Sequence, residues 1–269
     1  MTYDAKRKHL FQIEFPFMAK IVCGLPLFAT LFCVIWSIIF DFKQATATHC
    51  RVPNYLPSVS AAIGSFTPQR YVWRICIALH ATPRFMIAVA YYNYHTSVHI
   101  GKNNEAYKAL AALNSLCHIV EVASLVGLTF VSSTENHDAH EHMFISFMAA
   151  GLIYMLLTIY LFSRGRSHNG TLMTHQEMKS LKLKQLFFTL NVSIFLISVY
   201  VFFRHNWYCE PGVYTAFAAG EYLVIVTNIC FHYTANIDLG TSFLSLALPS
   251  KQDTPPPRSW LYHNEILPR

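Results

Sequence analysis

Charge is scarce in this chain of 269 residues: Asp, Glu, Lys and Arg make up 13% of it against 54% hydrophobic residues, with a mean hydropathy of +0.33. Soluble globular domains carry about 25% charged residues, so this balance points to a membrane protein. Other absences narrow the reading. The first apolar run lacks a small-x-small cleavage site, which favours a retained signal-anchor over a removed signal peptide. No internal repeat is visible, no hydrophobic end closes the tail as a lipid-anchor signal requires, and nothing resembles a CoA-binding motif. The net charge of +6 needs no nucleic acid to explain it.

Uncharged apolar runs long enough to cross about 30 Å of hydrocarbon are present at Ile21 to Phe40, Met143 to Phe162 and Leu186 to Phe203. Three further runs carry ionisable residues: Tyr71 to Tyr94 with Arg74, His80 and Arg84, Ala109 to Val131 with His118 and Glu121, and Val213 to Thr234 with Glu221. The expected fold is all-α, a polytopic bundle of six transmembrane helices within residues 1–240, with spans at about 18–40, 71–94, 109–131, 143–162, 186–203 and 213–234. With alternating spans, one side holds 14 of the 20 Lys and Arg, which by the positive-inside rule makes both termini cytosolic. Residues 241–269, polar and with Pro255 to Pro257, read as a disordered cytosolic tail. The sequon at Asn169 then lies on the cytosolic side, where it is not glycosylated.

Cys50 and Cys209 fall in the non-cytosolic loops, where an oxidising lumen lets them pair; two free thiols are the alternative. The cluster HDAHEH, His137 to His142, reads as a helix start capped by Asp138 and not as a metal site, so no metal or other cofactor is expected.

Polar residues inside the spans recur at helical spacing. Trp73, Ile77, His80, Arg84 and Tyr91 share one face of the second span, and Pro83 removes a donor there, which predicts a bend. Asn114, His118 and Glu121 share a face of the third span, and Tyr214, Glu221, Asn228 and His232 a face of the sixth. A charge facing lipid at the bilayer centre costs about 2.5–3.5 kcal/mol on insertion scales, so the three stripes should face one another or a watery cavity. Counted along the helices, His80, Glu121 and Glu221 come to matched depth in the lumenal half, with Arg84 a turn deeper. The cluster reads in two ways. It is either a buried ion-pair network that fixes packing, or a site in which His80 or His118 is a general base, Glu121 and Glu221 are the orienting carboxylates, and Arg84 grips an anionic head group. His232, with His205 and Glu210 of the last lumenal loop, is a further candidate for substrate binding. No Ser or Cys nucleophile shares the stripes of the second and third spans, so direct transfer is favoured over a covalent intermediate.

Three blocks carry a resemblance: ATHCRVPNYLPSVSAAIG (Ala47 to Gly64), PQRYVWRICIALHATPRF (Pro68 to Phe85) and Tyr200 to His232 with FRHNWYCEPGVYTAF. They resemble the post-GPI-attachment-to-proteins factor 2 family, multi-span proteins related to the DRAM proteins. The resemblance covers roughly a third of the chain. It implies a multi-pass protein of the Golgi and endoplasmic reticulum membranes, acting in GPI-anchor lipid remodelling at the step where lyso-GPI receives a saturated chain at sn-2. The implied partners are GPI-anchored proteins, lyso-GPI and an acyl donor lipid. The implied activity is an acyltransferase; the alternative is a non-catalytic membrane partner that presents lyso-GPI to a separate enzyme. His80, Arg84, Cys50, Cys209, Arg204, His205, Glu210 and Glu221 fall on matching positions, Glu121 in a weaker stretch, and His118, which thereby loses weight as the base, lies where the chain departs from the family.

Overall fold

The computed structural model describes residues 9–167 and 172–247. Six helices are long and apolar enough to cross a membrane: α1 (Phe15–Phe40), α4 (Gln69–Thr96), α5 (Asn104–Phe130), α6 (His137–Arg166), α7 (His175–Tyr208) and α8 (Val213–Tyr233). This is a multi-pass membrane protein. Short helices α2 (Phe42–Ala45) and α3 (Val59–Gly64) lie in the long connection between α1 and α4, and α9 (Ala235–Asp238) follows α8.

Each start has a local cause. Thr174 and Glu177 form a reciprocal capping box at the head of α7. Ser58 Oγ accepts from the Ala61 amide at α3. At α6 the cap is Asn136, whose Oδ1 accepts from Ala139 N, and Asp138 lies within the first turn. The expected cap at Asp138 is thus two residues late. The Asn136 side chain reaches the free amides first.

α1 packs on α4, α4 on α5, α5 on α6, and α7 on α8, with α1 also touching α8 to close the bundle. The second-span stripe is internal as its spacing predicted: Trp73, Ile77, His80, Arg84 and Tyr91 are all buried. α4 is assigned as one helix through Pro83.

Two faces result. On the cap face, the loop after α2 runs beside the start of α8, with Gly212 N donating to Pro53 O and Tyr55 N to Thr215 Oγ1. Cys50 and Cys209 are joined there by a disulfide. On the opposite, terminal face, β1 (His9–Glu14) pairs antiparallel with β2 (Phe243–Ala247). That pairing brings both ends of the bundle to one face, as an even number of spans requires.

Strand β2 departs from the expectation that the chain is disordered from residue 241. Its backbone finds a ladder because β1 emerges beside the end of α9, a proximity no local pattern reveals. The remainder of that tail, from residue 248, and the Asn169 sequon lie outside the described residues.

Candidate functional site

The centre of the bundle holds an arginine ringed by imidazoles. Arg84, on α4, lies about 22 Å from one end of its helix and 18 Å from the other at 1.5 Å per residue. It is therefore near mid-span, one turn along the helix from His80. Its Nη2 donates to Glu121 Oε2 of α5 at 3.0 Å and its Nε to His118 Nε2 at 3.2 Å. Its Nη2 also stands 2.6 Å from His232 Nε2 of α8, and its Nη1 3.5 Å from His80 Nε2. The carboxylate of Glu121 is otherwise filled by Asn228 Nδ2 and His232 Nε2, each 3.1 Å from Oε1.

Arg84 and Glu121 have side chains 3% and 0% exposed, so the ion pair is fully desolvated and its charges depend on these partners. Tyr154 of α6 closes the group, its ring stacked on His232 at 5.2 Å and 4.4 Å from that of His118. Gly151 of α6 faces the same carboxylate: a Cβ there would stand 3.4 Å from Glu121 Oε1, at van der Waals contact.

Proton positions follow from fixed partners. His80 Nδ1 lies 2.6 Å from the Val22 carbonyl, which only accepts, so the proton belongs on Nδ1 and the lone pair on Nε2, facing Arg84. His118 takes a hydrogen bond from Arg84 on Nε2, which leaves its Nδ1–H buried without a partner. The group that orients His80 is thus the backbone of α1, in place of the expected glutamate.

Donor atoms of His118, Glu121 and His232 lie within 4.8 Å of one another, a ligand set of the right type for a metal ion. The Arg84 guanidinium already contacts all three, and its charge opposes a second cation at the same place.

Glu221 is not part of this cluster. Its Oε2 accepts from Val59 N at 2.9 Å, and the neighbouring Tyr222 hydroxyl donates to the Pro57 carbonyl. The start of α8 runs alongside the cap loop, through Thr215 to Tyr55 and Glu221 to Val59, so Glu221 is held at the cap and not at the level of Arg84. Asn228 and His232, seven and eleven residues further, are the α8 side chains that reach Glu121. Replacing Glu221 by alanine leaves the Val59 amide without its acceptor, at a cost of about 1–3 kcal/mol. The expected result is faster hydrogen exchange over residues 53–64 with the Arg84 cluster unaffected; unchanged exchange there contradicts this role.

His205 and Glu210 also sit on the cap face. His205 is fully buried beside Tyr214 and His49. Glu210 is half-buried and holds Arg204 with two hydrogen bonds of 2.7 and 3.0 Å, and the guanidinium keeps its carboxyl below the usual carboxylate range. This pair lines a shallow cavity of about 410 Å³ with Tyr200, Trp207 and Tyr208.

A second buried ion pair was not foreseen. Lys184 of α7 contacts Asp238 of α9 at 2.6 Å, with side chains 1% and 0% exposed. Ser180 and the Tyr91 hydroxyl donate to the same carboxylate. Both residues fall outside the expected spans at 186–203 and 213–234, because α7 begins well before the first of these runs and α9 follows the second. The i, i+4 pair Ser180 and Lys184 was the available signal.

Residues 14–242 match the Frag1/DRAM/Sfk1/Cwh43P N-terminal domain. The chain belongs to that family. It is similar to "Acyltransferase PGAP2" of Xenopus tropicalis, 46% identical over 89% of this chain and 93% of the relative. It is also similar to "Post-GPI attachment to proteins factor 2" of Drosophila melanogaster, 42% identical over 85% and 87% of the two chains. The Caenorhabditis elegans protein of that name is 38% identical over 84% of this chain and 86% of its own. No solved structure matches. The family span runs from just before α1 to just before β2, so every residue of the central cluster falls inside it.

Proposed function

We propose that this protein acts in GPI-anchor remodelling during maturation of GPI-anchored proteins, as the acyltransferase that returns a saturated chain to the sn-2 position of lyso-GPI. The observation that carries the reading is the central cluster. Packing alone asks only that a buried arginine find a carboxylate, whereas Arg84 is surrounded by three imidazoles as well. The names of the similar proteins, an acyltransferase and post-GPI-attachment factors, support the same reading.

In the transfer, His80 Nε2 takes the proton of the free sn-2 hydroxyl, and the oxygen attacks the acyl carbonyl of a donor lipid. The donor's C–O bond breaks and the proton returns to its leaving oxygen. Arg84 holds the inositol phosphate, which takes the place of Glu121 on the guanidinium. The Cys50–Cys209 disulfide supports placing the cap face in the lumen of the Golgi or endoplasmic reticulum and both termini in the cytosol.

The closure of the cluster favours a second reading: with His118 and Glu121 wholly buried, the protein is a non-catalytic presenter of lyso-GPI. Purified protein given lyso-GPI and a phospholipid donor separates the two. The acyltransferase transfers the chain, and His80→Ala lowers the rate about 10²- to 10⁴-fold with the fold intact. Absence of transfer by the wild type with every donor supplied rules out the enzyme.

A further inference from the structure

Four side chains that the proposed transfer does not use converge on the cap face. His49 and Cys50 come from the loop after α2, His205 from the last turn of α7, and Cys209 from the residue that ends that helix. A ring nitrogen of each histidine and the Cys50 sulfur lie within 4.8 Å of one another, and His49 Nε2 is 3.3 Å from Cys50 Sγ. Zinc held at about 2.3 Å from sulfur and about 2.0 Å from nitrogen sets neighbouring N and S ligands about 3.5 Å apart in a tetrahedron, so this spacing needs little adjustment. Cys209 Sγ, bonded to Cys50 Sγ, adds a second sulfur at the same point.

The independent observation is His205. It is fully buried, one of its ring nitrogens is directed at this group, and neither nitrogen has a hydrogen-bond partner. A buried polar atom left unpaired costs about 1–3 kcal/mol, and coordination to a metal removes that cost. His49 is exposed and gives an ion a way in.

We propose that His49, Cys50, His205 and Cys209 form a Cys2His2 zinc site when the Cys50–Cys209 disulfide is reduced. A dithiol reductant passes two electrons and two protons to the S–S bond and is itself oxidised to a disulfide, leaving two thiols. Zn²⁺ then binds both sulfurs as thiolates and both imidazoles as neutral ligands, and the two thiol protons pass to solvent. In either redox state the cap loop stays tied to the α7–α8 turn, by a covalent bond in one and by the metal in the other. This inference is independent of the acyl-transfer reading.

The test uses full-length protein in detergent, stripped with chelator, with and without a phosphine reductant. It is given zinc, desalted and measured for bound metal, with helical content followed by circular dichroism. Reduced wild-type protein is expected to retain about one zinc per chain. Oxidised protein, reduced His49→Ala and the Cys50→Ser/Cys209→Ser double variant should retain at least about tenfold less. His49 is exposed, so its removal keeps the fold, and His205→Ala serves as the buried counterpart. Equal uptake by oxidised protein, undiminished uptake by His49→Ala, or no uptake by reduced wild type, folded or unfolded, overturns the proposal.

Discussion

Glu121→Ala is expected to destabilise the bundle by about 3–5 kcal/mol, because it leaves the Arg84 guanidinium buried without a counter-charge. The three residual contacts do not make up the loss, since His118, His80 and His232 offer Arg84 lone pairs and no counter-charge. Arg84→Met with Glu121→Leu removes both charges and keeps the volume, and such replacements of buried pairs are often neutral or stabilising. The double variant should therefore regain most of the stability lost in the single one. Reversible unfolding in detergent measures both, and a Glu121→Ala protein within about 0.5 kcal/mol of wild type means that the pair is not the closed ion pair described. The double variant also parts packing from chemistry: folded, it should still show no acyl transfer, whereas normal anchor lipids in cells that carry it would reduce the cluster to a packing device.

How much of this centre was readable in the sequence differed from helix to helix. The stripes on α4 and α5 were legible because an apolar helix must turn its few polar residues inward, and i, i+4, i+7 spacing names the face. Which residues meet across helices was less legible. The periodicity of α8 marks Glu221 and His232 equally, and only the course of the cap loop along the start of α8 decides that His232 reaches Glu121 while Glu221 caps Val59. Partners with no pattern of their own stayed hidden: the Val22 carbonyl that fixes His80, and Tyr154 and Gly151, which look like ordinary apolar-helix residues. The six spans were found and their ends were not, since α6 and α7 extend beyond the apolar runs by whole turns rich in charge. Lys184 was hidden for that reason.

That hidden pair sets the second large effect. Asp238 accepts three hydrogen bonds, from Lys184 and Tyr91 on one oxygen and from Ser180 on the other, and so joins α4, α7 and α9 at the terminal face. Such a network is fully satisfied only as a whole. Asp238→Ala leaves Lys184 buried with the Ser180 hydroxyl and the face of the Phe162 ring but no counter-charge, at an expected cost of about 3–5 kcal/mol. The damage should be local first. Asp238 ends α9, and the chain runs from it through Leu239, whose amide bonds Ala235, into β2. Two strands paired by themselves are marginal in water, so β1 and β2 depend on this anchor to stay in register. Hydrogen exchange of the β1 and β2 amides should therefore rise in Asp238→Ala before α4 and α5 lose protection. Lys184→Met should do less than Asp238→Ala, because the carboxylate it leaves keeps the Tyr91 and Ser180 donors, whereas the ammonium left by the other change keeps one hydroxyl. The reverse order of stabilities would place the burden on Asp238 desolvation and not on the stranded lysine.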